Sequence, residues 1–239
     1  MILDAQGMDF QELNRKVRES AEPEIMIEHC LGQRYIADGS RNQKITVHGT
    51  PGNGLAAYLD GSEVIVRGNA QDALGDTMNA GEITVFGSAG DAAGYAMRGG
   101  KIFIHGNTGY RAGIHMKAYQ EKVPVMVVGG TAGSFLGEYQ AGGIIVVLGL
   151  HAEEIPVGPF CGTGMHGGKI FIRSSTPPKG LPKQVLARSA PKAEMTEIMP
   201  LLEDFCGRFG ESISQVLAKR FYLLTPDTDN PYHQLYTAN

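Results

Sequence analysis

Three cysteines carry the most reactive side chains of this chain, and their spacing limits the chemistry they can perform. Cys30, Cys161 and Cys206 are far apart and odd in number in a chain of 239 residues. This pattern argues against a disulfide scaffold and a secreted protein. It also excludes a CxxC-type zinc or iron–sulfur site built from this chain alone. Cys161 has no evident base beside it in the sequence, and so nothing identifies it as a catalytic nucleophile.

Arg111, His115 and Lys117 form a small basic cluster within one short stretch of sequence. Such a cluster could contact an anionic ligand or a partner, and the alternative interpretation is a solvated loop. Three aspartates, Asp72, Asp76 and Asp91, lie in glycine-rich turns, where Asp commonly accepts backbone hydrogen bonds. No two of these carboxylates are placed as an acid/base pair.

Residues 162–167 read Gly-Thr-Gly-Met-His-Gly and formally match the dinucleotide-binding pattern GxGxxG. The context is wrong for a dinucleotide site, because the segment precedes a strand-like run instead of following a strand and opening a helix. The P-loop pattern also fails, since Gly168 and Lys169 are followed by Ile170 and lack the upstream glycine. We therefore predict no catalytic, cofactor-binding or metal-binding residue in this chain.

Charge and hydropathy exclude two further classes of protein. The formal net charge is −4, which gives no support to a nucleic-acid-binding surface. No apolar run reaches the roughly 18 residues of a membrane span, and residues 1–16 are too polar for a signal peptide. We expect a cytoplasmic protein that binds neither nucleic acid nor a membrane.

The elements that position these residues follow from a repeat. Of 33 glycines, 27 lie between Ile45 and Ser175, interleaved with short strand-like runs. The runs begin 19, 19, 19, 24, 19 and 25 residues apart, and they occupy residues 45–49, 64–68, 83–87, 102–106, 126–130, 145–149 and 170–174. A single unit cannot bury its own apolar face, but stacked units can, with each strand pairing in parallel with its copies. The repeat predicts a mainly β protein, a parallel β-helix of about seven coils.

Alternation within the strands predicts which faces are buried. The inward positions, from Ile45 and Val47 to Ile170 and Ile172, are apolar in every unit. The outward ladder is Thr46, Ile65, Thr84, Phe103, Val127, Val146 and Phe171, which is too apolar to be left in water. Stacking also places His48 and His105 roughly 14 Å apart, too far to share a metal.

The segments on either side of the repeat have their own patterns. Apolar residues recur at helical spacing from Met195 to Leu217, which predicts an amphipathic C-terminal helix over the outward ladder. A short helix at 9–19 and strands at 24–30 and 34–37 would form a small N-terminal α/β cap. We divide the chain into a cap (1–44), a β-helix domain (45–175) and a C-terminal linker with the covering helix (176–239).

The repeat also carries strings that resemble the GXGXG domain of glutamate synthase. They are ITVHGTPGNGL at 45–55, RGNAQDALGDTMNAG at 67–81, GYAMRGG at 94–100, GYRAGIHMK at 109–117, GSFLGEYQAGG at 133–143 and GMHGG at 164–168. The resemblance covers roughly residues 25–174. It implies the right-handed β-helix found at the C-terminus of the large subunit of glutamate synthase.

The resemblance also implies a function. In that family a glutaminase domain releases ammonia from glutamine, and an FMN and iron–sulfur domain adds it to 2-oxoglutarate and reduces the product. The β-helix holds these parts in register and has no catalytic residues of its own. This chain resembles a stand-alone, non-catalytic scaffold subunit whose partners are a separate glutaminase subunit and an FMN/iron–sulfur subunit. The chain itself would hold no cofactor and be inactive alone.

Two alternatives remain open. The chain could be an independent ligand-binding or regulatory β-helix protein that uses the loop with Arg111, His115 and Lys117. It could also be the equivalent subunit of N-methylglutamate synthase or formylmethanofuran dehydrogenase. The partner, the oxo-acid, the contacting face and the oligomeric state stay undetermined, although the terminal coils and outward ladder make a homo-oligomer an expectation.

Overall fold

A computed structural model of the chain describes residues 1–227. Within these residues eleven strands form one open sheet in the order β1-β2-β3-β4-β5-β6-β7-β8-β9-β11-β10, and three helices accompany it. The predicted mainly β fold is therefore confirmed. Residues 228–239, the end of the predicted C-terminal segment, lie outside the described residues.

The strands and helices follow one another along the chain with the repeated strands in the middle. The order is β1 (Ile2–Asp4), α1 (Phe10–Glu19), β2 (Glu24–Leu31), β3 (Lys44–Thr50), β4 (Asp60–Arg67), β5 (Ala80–Val85), β6 (Lys101–Ile104), β7 (Val125–Val128), β8 (Ala141–Val147), β9 (Gly167–Arg173), β10 (Val185–Ser189), α2 (Lys192–Phe209), α3 (Ile213–Leu217) and β11 (Phe221–Pro226). Each strand from β1 to β8 pairs in parallel with the next strand in the chain. Antiparallel β11 then joins β9 to β10.

The repeat register is the one that the sequence predicts. Ile45 pairs with Val64, Val64 with Ile83 and Ile83 with Ile102, so that equivalent residues of successive units stack. All fourteen predicted inward residues are fully buried, in a core that runs from Leu3 to Leu224. The prediction of the inner core is confirmed.

The predicted helical cover over the outward ladder is found on part of the sheet. Ile198, Leu202 and Phe205 of α2 form a second buried cluster with the outward residues Phe103, Val127, Val146 and Phe171. Helix α2 ends where Gly210 adopts a left-handed φ of 73°, which only a residue without Cβ does at little cost. The cover stops there, and Thr46 and Ile65, the first two residues of the predicted ladder, remain partly exposed.

The N-terminal part differs from its prediction at one place. Helix α1 forms as expected, with the Asp9 side chain accepting a hydrogen bond of 2.8 Å from the backbone N–H of Glu12. The strand predicted at 34–37 is wrong, because Tyr35 and Ala37 have φ values of 58° and 61° and the segment is a turn. Strands β1, β10 and β11 carry no repeat signal and enter the sheet at its two ends.

Among the helices within residues 1–227, none combines the length and the apolar composition that crossing a bilayer would require.

Candidate functional site

The turns of successive units form a corner at which the backbone takes a left-handed φ at every second residue. In one unit Arg111, Gly113 and His115 have φ values of 58°, 69° and 56°. In the next unit Phe135, Gly137 and Tyr139 have values of 61°, 65° and 53°. We call these turns the left-handed corner. A left-handed φ costs a residue with a Cβ roughly 1–2 kcal/mol, yet in these two units glycine occupies only the middle one of the three left-handed positions.

Hydrogen bonds between units hold this conformation in place. The backbone N–H groups of Arg111 and His115 donate to the carbonyls of Ser134 and Glu138 in the following unit, both at 2.9 Å. The N–H of Gly113, between them, donates to Ala93 in the preceding unit at 2.8 Å. Each unit is therefore hydrogen-bonded to the units on both sides, and the side chains of the corner project from a rigid backbone.

Large aromatic side chains line the outside of the left-handed corner. We call them the aromatic strip, and they are Tyr95, Tyr110, His115, Phe135, Tyr139 and Phe160. Phe160 is 53 % exposed, and Tyr110 and Tyr139 are each 39 % exposed. Exposed aromatic residues on a rigid support are typical of the contact residues of protein–protein interfaces.

The rings of the aromatic strip order one another. Phe135 stacks on Phe160 with centroids 4.8 Å apart, and Tyr110 meets the edge of Phe135 at 5.3 Å. His115 stacks on Tyr139 at 5.2 Å with an interplanar angle of 10°. The strip is thus formed in the free chain, and a partner would not have to order it.

The predicted basic cluster lies on the same corner, but its strongest charge is already balanced. The Arg111 guanidinium pairs with the buried carboxylate of Glu138 at 2.8 Å and lies 4.8 Å from the ring of Tyr110. His115 sits between Tyr95 and Tyr139, while Lys117 is exposed beyond the strip. The structure brings Arg111 and His115 together as parts of an aromatic surface, and this weakens their interpretation as an anion site.

The two histidines at equivalent repeat positions lie apart and contact different carboxylates. His105 approaches Glu211 at 2.9 Å through Nε2 and stacks on Phe209 at 4.8 Å, which fastens the end of α2 to β6. His48 lies on β3, three strands away, with Nδ1 3.8 Å from Glu28. Among residues 1–227 no group of three or more His, Cys, Asp or Glu residues is placed to hold a metal ion.

All three thiols are buried and weakly acidic. Burial raises the pKa of Cys161 to about 12 and that of Cys30 to about 11. Burial also raises the pKa of Cys206, and the nearby carboxylate of Glu211 acts in the same direction. Since the thiolate is the reactive form, these three residues are poor nucleophiles at neutral pH.

Two of the three turn aspartates accept backbone hydrogen bonds, as predicted, and these bonds join successive units. The Oδ1 atom of Asp72 accepts from the backbone N–H of Asp91 at 2.9 Å, and Asp91 in turn accepts from Tyr110 at 2.8 Å. A Cβ on Gly109 would collide with that Asp91 oxygen, so glycine is required where the side chain crosses the next unit. Asp76 accepts instead from the hydroxyl of Thr77 at 2.7 Å.

Residues 162–167 lie in the context that the sequence predicts. Gly162 and Gly164 belong to the left-handed corner, with φ values of 74° and 69°, and Gly167 begins β9. The segment therefore leads into a strand and opens no helix, which is not the setting of a dinucleotide site. Lys169 pairs with Glu194 and Glu197 of α2 at 2.7 and 2.5 Å and is used in docking that helix.

Sequence reasoning did not find the aromatic strip or the arginines that fasten the C-terminal helices. Arg208 of α2 bonds to Glu82 and Thr84 of β5 at 2.6 and 2.9 Å. Buried Arg173 donates to the carbonyls of Leu148, Gln215 and Val216. Alignment of the repeats at the left-handed positions would have gathered His115, Phe135, Tyr139 and Phe160, whereas the arginine partners are distant in sequence.

A cleft of about 580 Å³ lies at the N-terminal end of the sheet, between the end of α1 and residues 37–43. Arg18, Asp38 and Arg41 line it. Burial raises the pKa of Asp38, and Arg18 opposes this rise. Arg41 pairs with Asp60 at 2.6 Å. These side chains largely balance one another, and they assign no ligand to the cleft.

Comparison with known proteins gives one family and one relative. A family model described as the GXGXG motif matches residues 14–227. An uncharacterized protein of Methanocaldococcus jannaschii is 40 % identical over 253 residues, an alignment that covers 100 % of this chain and 97 % of the relative.

Proposed function

Because this chain belongs to the GXGXG motif family, we propose that it is a non-catalytic scaffold subunit of a glutamate synthase-type oxidoreductase. Such an enzyme moves the amide nitrogen of glutamine to 2-oxoglutarate and thereby makes glutamate. The chain would hold a separate glutaminase subunit and an FMN/iron–sulfur subunit in register. The family match supports a relationship to the GXGXG domain of glutamate synthase, and both that relationship and the role as a separate subunit are our inference.

We further propose that the stacked units form a right-handed parallel β-helix. Nine parallel strands pair in chain order, and further parallel bridges join Ala70 to Ala89 and Thr108 to Ala132 in the turns. Equivalent backbone atoms are thus bonded in the turns as well as in the strands. Connections between parallel strands of one sheet are almost always right-handed, which supports this hand.

The aromatic strip is the observation that carries the scaffold role. A scaffold needs a rigid surface for a partner, and the strip offers ordered rings on a backbone clamped by hydrogen bonds to both neighbouring units. The stacked units also give the chain a length over which two partners could be kept apart. Both properties concern binding and position, and neither requires a catalytic side chain here.

The proposal places FMN and the iron–sulfur cluster in the partner subunit. Iron–sulfur clusters are held by several thiolates that converge on one point. In this chain the three cysteines do not converge, and burial keeps their thiols protonated. The residues present do not fit a cluster, and no step of the reaction is assigned to this chain.

The alternative of an independent binding protein has less support. It would use Arg111, His115 and Lys117 for an anionic ligand, yet Glu138 already neutralises Arg111. The equivalent subunit of N-methylglutamate synthase or formylmethanofuran dehydrogenase would share the scaffold role. Identification of the bound partner would distinguish these enzymes from a glutamate synthase.

The test is a gentle pull-down of the tagged full chain from its native cells, with the visible spectrum and the protein composition of the eluate. We expect a yellow eluate that contains a flavoprotein with iron–sulfur absorption and a glutaminase subunit. Tyr110→Glu and Phe160→Glu should reduce the recovered flavin at least about tenfold, because each puts a charge into the contact surface.

Leu31→Glu is the matched control, because Leu31 is 82 % exposed on β2, at the other end of the strand order from the unit that carries Phe160. The control should recover as much flavin as the unaltered chain. A colourless eluate without partner proteins would overturn the scaffold role. If both strip variants recover as much flavin as the unaltered chain, the scaffold role stands but the aromatic strip is not its contact surface.

A further inference from the structure

The outer face of the sheet is covered over only part of its length. Helix α2 runs from β9, where Lys169 meets Glu194, to β5, where Glu82 meets Arg208. Beyond β5 the same face has no cover from any described residue, and Ile2 is 71 % and Met26 38 % exposed there. We call this part, with Ile2, Met26, Thr46 and Ile65 along its centre, the uncovered outer face.

The covered half of the sheet is a template for the uncovered half, because both halves belong to one ladder. Ile65 pairs with Thr84 and Thr84 pairs with Phe103, so the central row of outward side chains continues without a break from β1 to β9. The spacing of about 4.8 Å between strands is constant along such a ladder. A helix that fits across β5–β9 therefore meets the same geometry across β1–β4.

The way in which α2 binds shows what kind of helix fits. Its apolar residues, with Phe205 among them, lie on the central row, and its charged residues meet charged residues on the flank. Arg208 pairs with Glu82 at 2.6 Å, and its guanidinium lies 4.4 Å from the ring of Phe103. An amphipathic helix is thus matched to this face by an apolar stripe and by charges beside the stripe.

The charged residues beside the uncovered outer face indicate which charge a segment bound there should carry. By strand alternation, four carboxylates and two permanent cations share this face. The carboxylates belong to Asp4, Glu24, Glu28 and Glu63, and the cations are Lys44 and Arg67. Lys44 is held by Glu63 at 3.1 Å, and Arg67 lies 4.0 Å from the ring of Phe86. The Met1 ammonium donates to the carbonyl of Glu24 at 2.8 Å, and His29 and His48 approach Asp4 and Glu28 at 3.0 and 3.8 Å. With that ammonium counted beside Lys44 and Arg67, the four carboxylates leave an excess of one negative charge on this face.

We propose that the uncovered outer face is the docking site for a basic amphipathic helix of a partner protein. The helix lies across β1–β4, end to end with α2, with apolar side chains on Met26 and Ile65 and basic side chains toward the carboxylates. Three strand spacings are roughly 14 Å, the length of about ten helical residues.

Two other occupants fit the charges less well. A second copy of the chain docked by the same face would set carboxylates against carboxylates. The segment 228–239 contains no Lys or Arg to pair with them. The inference goes beyond the proposed function, because it concerns the chemistry of a partner segment and holds whichever enzyme the chain serves.

The test uses a stapled synthetic helix of about 14 residues, with leucines on one face and lysines beside them, titrated against the full chain and followed by fluorescence anisotropy. We expect saturable binding that weakens as salt rises. Met26→Glu and Ile65→Glu should each weaken binding at least about tenfold, and circular dichroism checks that both variants are folded. The control is Leu31→Glu, an 82 % exposed apolar residue beyond the bulge of β2, which should bind as the unaltered chain does.

Several outcomes would overturn the inference. The first is that the peptide shows no saturable binding. The second is that a matched peptide with glutamates in place of the lysines binds equally well. The third is that Met26→Glu and Ile65→Glu leave the binding unchanged. A dimer that dissociates when Ile65 is changed to Glu would assign the face to a second copy. Binding seen only after removal of residues 228–239 would assign it to the chain's own end.

Discussion

At the residue scale, burial determines how the thiols respond to pH. The pKa of Cys161 rises from an ordinary value of 9.0 to about 12, and that of Cys30 to about 11. A raised pKa in the folded state means that the unfolded chain loses these protons first as the pH increases. The stabilisation is complete below pH 9 and is lost between pH 9 and 12.

We therefore expect the free energy of unfolding to fall from about pH 9 upward, measured by urea denaturation at a series of pH values. Cys161→Ala should flatten this decline, because it removes the most strongly shifted group. The native chain should also resist iodoacetamide at pH 8. Rapid alkylation of Cys161 in the folded chain would contradict the burial on which the expectation rests.

A second prediction at this scale concerns the arginine that fastens α2 to the sheet. Arg208→Met keeps most of the side-chain stem but removes the bonds to Glu82, Thr84 and Asp204. Glu82 and Asp204 then lose their closest cation and keep only the longer contacts with Lys101, at 3.3 and 3.8 Å, and we expect a loss of about 2 kcal/mol in urea denaturation. Lys117→Met, at an exposed position, should change stability by less than about 0.5 kcal/mol. Equal effects of the two substitutions would show that Arg208 does not anchor the helix.

At the scale of the elements, close stacking of the units decides which glycines are essential. Gly49 and Gly61 have nearly the same φ, 117° and 115°. A Cβ on Gly49 would collide with the backbone carbonyl of Cys30 in the preceding unit, whereas a Cβ on Gly61 meets nothing within 4 Å. The two positions share a positive φ and differ in what a Cβ would meet.

Gly61→Ala should cost about 1–3 kcal/mol through backbone strain alone. Gly49→Ala should cost at least about 2 kcal/mol more, because β2 and β3 must move apart to admit the methyl group. Thermal and urea denaturation of the two variants measure the difference. Similar losses of stability in the two variants would mean that β2 and β3 can move apart at little cost in free energy.

At the scale of the whole molecule, each strand from β1 to β9 is hydrogen-bonded in the sheet to its immediate neighbours, and one buried core runs from Leu3 to Leu224. Such a stack resembles a one-dimensional array, in which stability is a sum over units and their interfaces. The end strands have a neighbour on one side only. Local unfolding should therefore cost less free energy at the ends of the sheet than in its middle.

Native-state hydrogen exchange should show this gradient. We expect the amides of β5, β6 and β7 to exchange only on global unfolding, and those of β1 and β10 at a lower free energy. The covered half should also be protected better than β2–β4, since α2 adds a second buried cluster there. Uniform protection along the stack, or two separate urea transitions, would contradict a single array with frayed ends.

Particular residues show which features of the structure can be predicted from the sequence and which cannot. The inward positions from Ile45 to Ile172 were predictable, because a strict repeat places equivalent residues in equivalent surroundings. Asp72 and Asp91 were predictable for the same reason, since each acts on the unit beside it. Arg208 and Arg173 were not predictable, because their partners are chosen by the path that α2 and α3 take over the sheet.

The amino-acid sequence by itself determined the unit, its period, its parallel stacking and its buried face, because these depend on local spacing repeated along the chain. Only the tertiary structure decided that α2 stops at β5, that Glu138 neutralises Arg111 and that the aromatic side chains share one corner. These facts depend on distances between residues that are remote in sequence. A repeat specifies the contacts of neighbouring units, and it carries no information about where a non-repeated segment ends.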